Sequence, residues 1–254
     1  MYADKIFLRA AEARAGDVLI ERLSERDKEF HFQDWFKSRL DEEQEDSGLQ
    51  FEDGGRNSYP DFRLVRHLEG FEVKGLAYPG READYDCNSQ VPVGLHNGRS
   101  IYYVFGRYPK DPDGDSYPVL DLVICHGNLL NADSAYRHKN TSVPAFGSYG
   151  DLRIRDRKMY VAPTPFALLE GTAHQATLIL PAESEPHGNL VQVGEFQRVE
   201  VDRIMSGYSF DFATNELEAT FEPNPHSGRQ HDFRAWRLGA APASPEVKLA
   251  PKDD

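Results

Sequence analysis

The run Ser100–Tyr108 restricts the fold more than any other stretch of this sequence, because its residues are almost all β-branched or aromatic. Such residues favour β-strands, and an uninterrupted run of them is typical of a strand that is buried on both faces. Val119–Cys125 is a second apolar run and predicts another strand. We therefore expect a central β-sheet with other layers of structure packed against it.

Two helices are predicted ahead of this sheet. The first, Lys5–Leu23, is rich in Ala, Arg, Glu and Leu, with Gly16 as a weak point, and the second runs from Glu25 to about Glu43. Apolar side chains recur at helical spacing in the second segment and form one stripe, which we expect to pack against another element. The members of this stripe are Phe32, Trp35, Phe36 and Leu40.

Two short strand-like runs, Asp61–Arg66 and Phe71–Leu76, are separated by polar residues that predict the turn of a hairpin. Alternate residues of a strand share a face, so Glu72 and Lys74 point in the same direction. If Asp61 pairs near Glu72, two carboxylates and an ammonium group converge on one surface. Two carboxylates suit Mg²⁺, which is held by few protein oxygens and keeps several waters. A lysine beside the cation equips the surface for hydrolysis of a phosphodiester.

Pro60-Asp61, followed downstream by Glu72-Val73-Lys74, resembles the signature of the PD-(D/E)XK nucleases, the superfamily of many type II restriction endonucleases. The resemblance implies a restriction-endonuclease-like core. It also implies that Asp61 and Glu72 bind the catalytic metal with help from the Val73 carbonyl, and that Lys74 orients or activates the attacking water. The competing interpretation is a surface hairpin on which Glu72 and Lys74 form a solvated ion pair.

Further carboxylates could join the predicted metal site. In the resembled family a helix before the sheet sometimes supplies one, and Glu29 or Asp34 could do so here, although both are also expected as solvated surface residues. Glu52 precedes the hairpin in a short predicted strand and is a third candidate. The residue types alone do not choose among them.

The net charge of −13 argues at first sight against a nucleic-acid partner, because contacts with phosphates require Lys and Arg. The excess of acidic residues lies in segments 1–54 and 171–254, whereas residues 55–170, which hold the motif, carry equal numbers of acidic and basic side chains. A local basic cleft is compatible with this distribution, but a histone-like binder is excluded. The two cysteines provide neither a disulfide framework nor a metal-binding spacing, so a cytoplasmic location is expected.

The polar connector Tyr78–His96 follows the predicted catalytic strand and is long for a loop, which indicates either function or disorder. Arg81, Asn88 and Gln90 have the side-chain chemistry that reads base edges in the major groove. We interpret them as candidate DNA contacts. The alternative is that Asn88 and Gln90 bond to the backbone of their own loop.

A concentration of basic residues lies between positions 137 and 158. If Leu152–Tyr160 is one strand, the alternate arginines at 153, 155 and 157 line one face and can contact phosphates or guanine. The alternative is an edge strand that is protected by charge. The candidate DNA contacts of this region are Arg137, Lys139, Arg153, Arg155, Arg157 and Lys158.

From Gly171 onward the sequence is acidic and rich in strand-like runs, including Ala176–Leu180 and Leu217–Phe221. We divide the chain into a nuclease core with N-terminal helices (1–170), a β-rich C-terminal subdomain or extension (171–240), and a flexible tail (241–254). The predicted fold class is α/β: a restriction-endonuclease-like core, with a mixed central β-sheet flanked by helices, and the β-rich extension.

The predicted function is Mg²⁺-dependent, sequence-specific cleavage of double-stranded DNA by a type II restriction enzyme. By the resemblance we expect a homodimer, because two active sites related by a two-fold axis match a palindromic site. The alternatives are a nuclease of the same superfamily in DNA repair, junction resolution or phage defence, and a non-catalytic DNA-binding module. His126 and Asn128 invite an HNH-type interpretation, which we disfavour because no second histidine follows at a suitable spacing.

Overall fold

The computed structural model of the chain describes residues 1–22, 28–55, 58–88, 90–132, 148–155, 159–239 and 245–251, except for the side chains of residues 28, 29, 155 and 159. Its helices are α1 (Tyr2–Ala15), α2 (Lys28–Ser47) and the short α3 (Pro165–Leu168). Gly127–Leu129 forms one 3-10 turn. Among the described residues, none of these helices combines the length and the apolar character needed to cross a membrane.

Strands make up most of the remaining regular structure. In chain order they are β1 (Ile20–Glu21), β2 (Phe51–Asp53), β3 (Phe62–Leu64), β4 (Glu69–Tyr78), β5 (Asp84–Asn88), β6 (Leu95–His96), β7 (Arg99–Pro109), β8 (Ser116–Tyr117), β9 (Asp121–His126), β10 (Arg153–Arg155), β11 (Met159–Pro163), β12 (Leu169–Glu170), β13 (Ala176–Pro181), β14 (Leu190–Val199), β15 (Arg203–Asp211), β16 (Glu216–Pro223), β17 (Gln230–Leu238) and β18 (Lys248–Leu249).

Nine of these strands form one large sheet in the order β14-β17-β13-β9-β7-β4-β3-β2, with β6 also paired to β7. The pairs β4–β7 and β9–β13 are parallel, whereas β3–β4, β7–β9 and β13–β17 are antiparallel. The predicted α/β class with a mixed sheet is therefore confirmed. Strand β7 lies inside the sheet and is buried from Ile101 to Tyr108, as its sequence predicted.

Helices α1 and α2 cover one face of this sheet. The apolar stripe of α2 is buried against it, and the ring of Phe36 lies 5.7 Å from the ring of Phe71 on β4. Gly106 in β7 makes room for the helix, because a Cβ atom at this position would lie 2.0 Å from the ring of Phe32. A glycine inside a strand often marks such a close approach.

A small sheet covers the other face. Its strand order is β10-β11-β5, and its apolar side chains join a second core with those of β4, β7 and β9. Tyr85 and Cys87 of β5 are buried in this second core, as are Tyr103 and Phe105 of β7. The chain is thus layered as helices, large sheet and small sheet over the segment that carries the motif.

Three of the predicted element boundaries are wrong. The first helix ends at Ala15 rather than Leu23, because the chain turns at Gly16 and Ile20–Glu21 then pairs with β8. The connector after β4 is not merely a loop, since β5 and β6 lie within it. Arg153–Arg155 and Met159–Pro163 form two antiparallel strands, β10 and β11, instead of one strand, and Arg157 lies outside the described residues.

The C-terminal half joins the core sheet. Strands β13, β14 and β17 continue the large sheet beyond β9, while β15 and β16 form a two-stranded ribbon of their own. The described part of the predicted flexible tail, residues 245–251, is ordered against the core, because β18 pairs with β12 and Val247 is buried. Tertiary pairing here outweighs the Pro- and Lys-rich composition from which a loose tail was predicted.

Candidate active site

Strand pairing brings Asp61 to Glu72. In the β3–β4 pair Phe62 lies opposite Phe71, so the next step along the same register places Asp61 across from Glu72. The Asp61 carbonyl accepts a hydrogen bond from the Gly54 amide at 2.8 Å, which extends the β2–β3 pairing to this residue. On the other side, Asp61 Oδ2 accepts a hydrogen bond from the Val73 amide at 2.8 Å. The aspartate is therefore held against the middle of β4.

Glu72 and Lys74 project from the same face of β4 and form an ion pair, with Lys74 Nζ 2.7 Å from Glu72 Oε1. Their side chains are only 12% and 15% exposed, so the alternative of a solvated surface pair is wrong. Glu72 Oε2 is buried and has no hydrogen-bond partner among the described residues. An unsatisfied buried carboxylate oxygen costs stability, and such an atom in a native structure calls for an explanation.

The donor set fits a hard cation. Asp61 and Glu72 offer carboxylate oxygens, and Val73 directs its amide toward Asp61. In a strand, the carbonyl of a residue points to the same side as its amide, so the Val73 carbonyl also faces the side of Asp61. The described residues include no cluster of three or more His, Cys, Asp or Glu arranged to hold a metal ion. Two carboxylates and a carbonyl are oxygen ligands of the kind that Mg²⁺ takes, with waters completing its coordination.

The three further carboxylates predicted as possible ligands separate in the structure. Asp34 of α2 lines a cleft of about 350 Å³ together with Asp61 and with Asp53, which the sequence did not single out. Glu52 is exposed on β2 and pairs in register with Arg63. The Glu29 side chain lies outside the described part. Asp34 is thus better placed than Glu52.

A second cleft opens beside Lys74, with a volume of about 160 Å³. Arg81 and Asn88, both predicted to contact DNA, line it together with Tyr85 and Asp86. The Arg81 guanidinium lies 3.0 Å from the Asp86 carboxylate, which compensates part of its charge. The structure therefore brings these two predicted contacts to the cleft beside Lys74, although the connector that carries them is partly strand.

The other predicted DNA contacts have different surroundings. Gln90 Nε2 donates to the Val91 carbonyl at 3.0 Å, which matches the alternative that it bonds to its own loop. Arg153 is 68% exposed and lies 2.7 Å from Asp84 on the small sheet. The remaining predicted contacts lie outside the described residues or, for Arg155, outside the described side chains: Arg137, Lys139, Arg155, Arg157 and Lys158.

Three tyrosines that the sequence did not single out surround the motif. The hydroxyl groups of Tyr59 and Tyr103 lie 2.8 Å apart, and Tyr85 is buried next to them. Burial raises the pKa of all three phenols, and the Glu72 carboxylate raises the pKa of Tyr59 and Tyr103 further. Burial also raises the pKa of the Cys87 thiol to about 12, so this thiol is not a nucleophile at neutral pH. The one sequence signal for this cluster is that Tyr59 directly precedes Pro60-Asp61.

His126 does not offer the alternative HNH-type site. Its ring nitrogen Nδ1 accepts a hydrogen bond from the Asn128 amide at 3.3 Å, inside the turn that ends β9. Desolvation lowers the pKa of His126 to about 4. A neutral histidine that accepts a hydrogen bond within its own turn has a structural role.

A scan against protein-family models found no match to this chain, and searches of curated proteins and of solved structures likewise found none. A functional conclusion must therefore come from the chemistry of the site. That chemistry is a carboxylate with one oxygen unpartnered among the described residues, a second carboxylate bound by a backbone amide, and a lysine that lines one cleft.

Proposed function

We propose that this protein is a Mg²⁺-dependent DNA endonuclease that hydrolyses phosphodiester bonds at specific sequences, as a type II restriction enzyme does. The proposal includes the PD-(D/E)XK assignment, with Asp61, Glu72 and Lys74 as its catalytic residues. The observation that carries it is the buried Glu72–Lys74 pair, which lies beside Asp61 and has a carboxylate oxygen without a hydrogen-bond partner in the described part of the chain. A purely structural ion pair gains stability only when its remaining polar atoms are also satisfied.

Each residue of the proposed site has a separate task. Asp61 and Glu72 would hold the cation together with the Val73 carbonyl, and Asp61 is already oriented by the Val73 amide. Lys74 would orient the attacking water and move its proton. The cation, when bound, would stabilise the negative charge that develops on the phosphate.

The proposed partner is double-stranded DNA, approached through the cleft beside Lys74. Arg81 and Asn88 line that cleft, and Arg153 lies exposed on the small sheet that also carries β5. Both arginines are paired with aspartates, so binding must exchange these ion pairs for contacts with phosphates or bases. We include a homodimer in the proposal, since a two-fold protein matches a palindromic DNA site.

The decisive experiment is a digest of mixed genomic DNA by the purified protein with Mg²⁺ and, in parallel, with a chelator. Discrete bands that require Mg²⁺ support a restriction enzyme, and sequencing the ends would give its site. A Mg²⁺-dependent smear supports a nuclease of repair, junction resolution or phage defence. DNA that is bound but stays uncut contradicts the catalytic proposal and supports the non-catalytic binding module.

Replacing Lys74 by methionine tests whether the cleavage belongs to this site. We expect a loss of about 10²- to 10⁴-fold in cleavage rate, the usual contribution of a positioned proton-transfer group, with little loss of DNA binding. Lys248→Met is the matched control, because Lys248 is also paired with a glutamate, Glu170, at 3.2 Å but lies on β18. Equal cleavage by the Lys74→Met variant and the wild type would assign the activity to another site or a contaminant.

A further inference from the structure

The Tyr59–Tyr103 pair has one more hydrogen-bond donor than it uses. Two hydroxyl groups carry two protons, and the bond between their oxygens, at 2.8 Å, consumes one of them. Neither hydroxyl makes a second hydrogen bond within the described residues. Tyr103 is 1% exposed, so water does not readily take the spare proton. The pair therefore has a donor to offer inside the protein.

Glu72 has the matching deficit. Its Oε2 atom is buried without a hydrogen-bond partner in the described part of the chain, while Oε1 is bound by Lys74. Strands β4 and β7 are parallel, and their register places Glu72 directly beside Tyr103. Laterally paired residues of neighbouring strands project from the same face of a sheet, so the spare donor and the unsatisfied acceptor lie on one surface.

Both tyrosines are also tied to the rigid part of the site. Tyr103 lies within the buried strand β7, and Tyr59 precedes Asp61, the other proposed ligand, by two positions. The Tyr59–Tyr103 bond therefore links the segment that carries Asp61 to the strand beside Glu72. Groups that hydrogen-bond to a metal ligand and fix its orientation commonly have a large effect on metal affinity.

We propose that the Tyr59–Tyr103 hydroxyl pair positions the Glu72 carboxylate for a divalent cation, by donating its spare proton in a hydrogen bond to Oε2 when the cation is bound. This inference rests on the proposed function in one respect, the assignment of a cation to Asp61 and Glu72. The two tyrosines are positioning residues, since they would act on the cation through Glu72. Their removal should weaken cation binding more than it slows cleavage at saturating cation.

The test uses Tyr59→Phe and Tyr103→Phe in the full chain, with binding of Mn²⁺ alone measured by calorimetry and by the loss of its free electron-spin resonance signal. We expect the dissociation constant for Mn²⁺ to rise about 10- to 100-fold in each variant, the usual range for a group that orients a ligand. Tyr102→Phe is the matched control, because Tyr102 neighbours Tyr103 but its hydroxyl donates to Met1 Sδ, at 3.1 Å, on the helix-covered face. This control should bind Mn²⁺ as the wild type does.

Several outcomes separate this inference from the proposed function. Wild-type affinity for Mn²⁺ in both phenylalanine variants overturns the inference, even if the protein cleaves DNA. A wild-type protein that binds no divalent cation overturns it as well. Weaker binding in the variants supports it even if no DNA is cut, in which case only the nuclease proposal fails.

Where cleavage is observed, the Mg²⁺ concentration for half-maximal rate should rise in the variants, while the rate at saturating Mg²⁺ falls less. A general loss of structure would lower both rates together and would also affect thermal unfolding. If Tyr103→Phe fails to fold, the half-buried Tyr59 provides the second variant, and unchanged Mn²⁺ binding by Tyr59→Phe then overturns the inference.

Discussion

Strands β4 and β7 present two faces that differ sharply in composition, although both are buried. The helix-covered face carries Phe71 and Val73 of β4, next to Tyr102 and Val104 of β7, under the aromatic stripe of α2. The opposite face carries Glu72 and Lys74 beside Tyr103, under the small sheet. The same alternation of a strand thus produces an apolar layer on one side and, on the other, an apolar core that is interrupted by the Glu72–Lys74 pair and is called the polar face here.

The two faces therefore contribute differently to the stability of the fold. On the helix-covered face, rings such as Phe36 and Phe71 meet at 5.7 Å and bury apolar area, which is the main source of folding free energy. On the polar face, Glu72 Oε2 has no hydrogen-bond partner among the residues that the structure describes, which costs stability. Groups that destabilise the fold in this way are typical of functional sites.

The largest effect on stability is expected from Phe36→Ala on the helix-covered face. Removing a fully buried ring from the aromatic stripe should lower the free energy of unfolding by about 3–5 kcal/mol, measured by urea denaturation. Cleavage per folded molecule should be unchanged, because the ring lies on the opposite side of the sheet from Glu72. A loss below about 1 kcal/mol would mean that this face is not the dominant core.

The double variant Glu72→Leu with Lys74→Met tests the polar face. Replacing a buried ion pair by apolar side chains of similar volume is often neutral or stabilising by about 1–4 kcal/mol. We expect this result here because Glu72 Oε2 is unsatisfied, together with complete loss of Mg²⁺-dependent cleavage. Marked destabilisation in the same urea experiment would instead show that the pair is a structural element, and would remove the contrast between the two faces.

The free energy of unfolding should depend on pH through His126, whose ring lies 5.4 Å from that of Tyr102. Burial lowers its pKa from 6.5 to about 4, so the unfolded chain binds a proton in this range and the folded protein does not. The stability from neutral His126 is therefore complete above pH 6.5 and is lost as the pH falls toward 4, by about 1–3 kcal/mol. His126→Gln should remove this part of the slope in pH-dependent urea unfolding, and an unchanged slope would contradict the assignment.

The smallest expected effect is that of Arg153→Ala, on the sheet that covers the polar face. If Arg153 contacts a phosphate, its loss should weaken binding of all DNA sequences alike and reduce the salt slope of log K by about 1. Arg22→Ala is the control, since Arg22 is also exposed and ion-paired, to Asp115, but lies outside the predicted contacts. Equal salt slopes for both variants in fluorescence-anisotropy titrations would remove Arg153 from the DNA interface.

Several elements could be predicted from local patterns. The buried strand β7 and the stripe of α2 follow from runs and spacings that a single element displays by itself. The ends of the elements were harder to predict. The first helix ends at Ala15 because a turn, and the pairing of β1 with β8, compete with the helical propensity of the residues that follow. The strand β17 was missed because polar residues dominate its sequence, Gln-His-Asp-Phe-Arg-Ala-Trp-Arg-Leu, and one of its three buried residues, Phe233, Ala235 and Arg237, is itself charged.

The residues of the candidate site also divide into those that the sequence predicted and those that it did not. The identities of Asp61, Glu72 and Lys74 came from a spacing in the sequence, and so did the shared face of Glu72 and Lys74. Tyr103 was treated only as part of an apolar strand, since nothing local shows that it lies beside Glu72. Gln90 could not be assigned either, because the choice between DNA and its own loop depends on where the chain turns.

The sequence by itself determined the elements that have a period: an aromatic stripe on α2, a central strand buried on both faces, and a carboxylate and a lysine that share one face of β4. Only the tertiary structure decided which strands became neighbours. It joined β13, β14 and β17 to the core sheet, paired β10 with β11, and set Tyr59 and Tyr103 next to the motif. The physical reason is that periodicity reports the faces of one element, whereas the register between distant segments depends on long-range packing and on the closure of the loops between them.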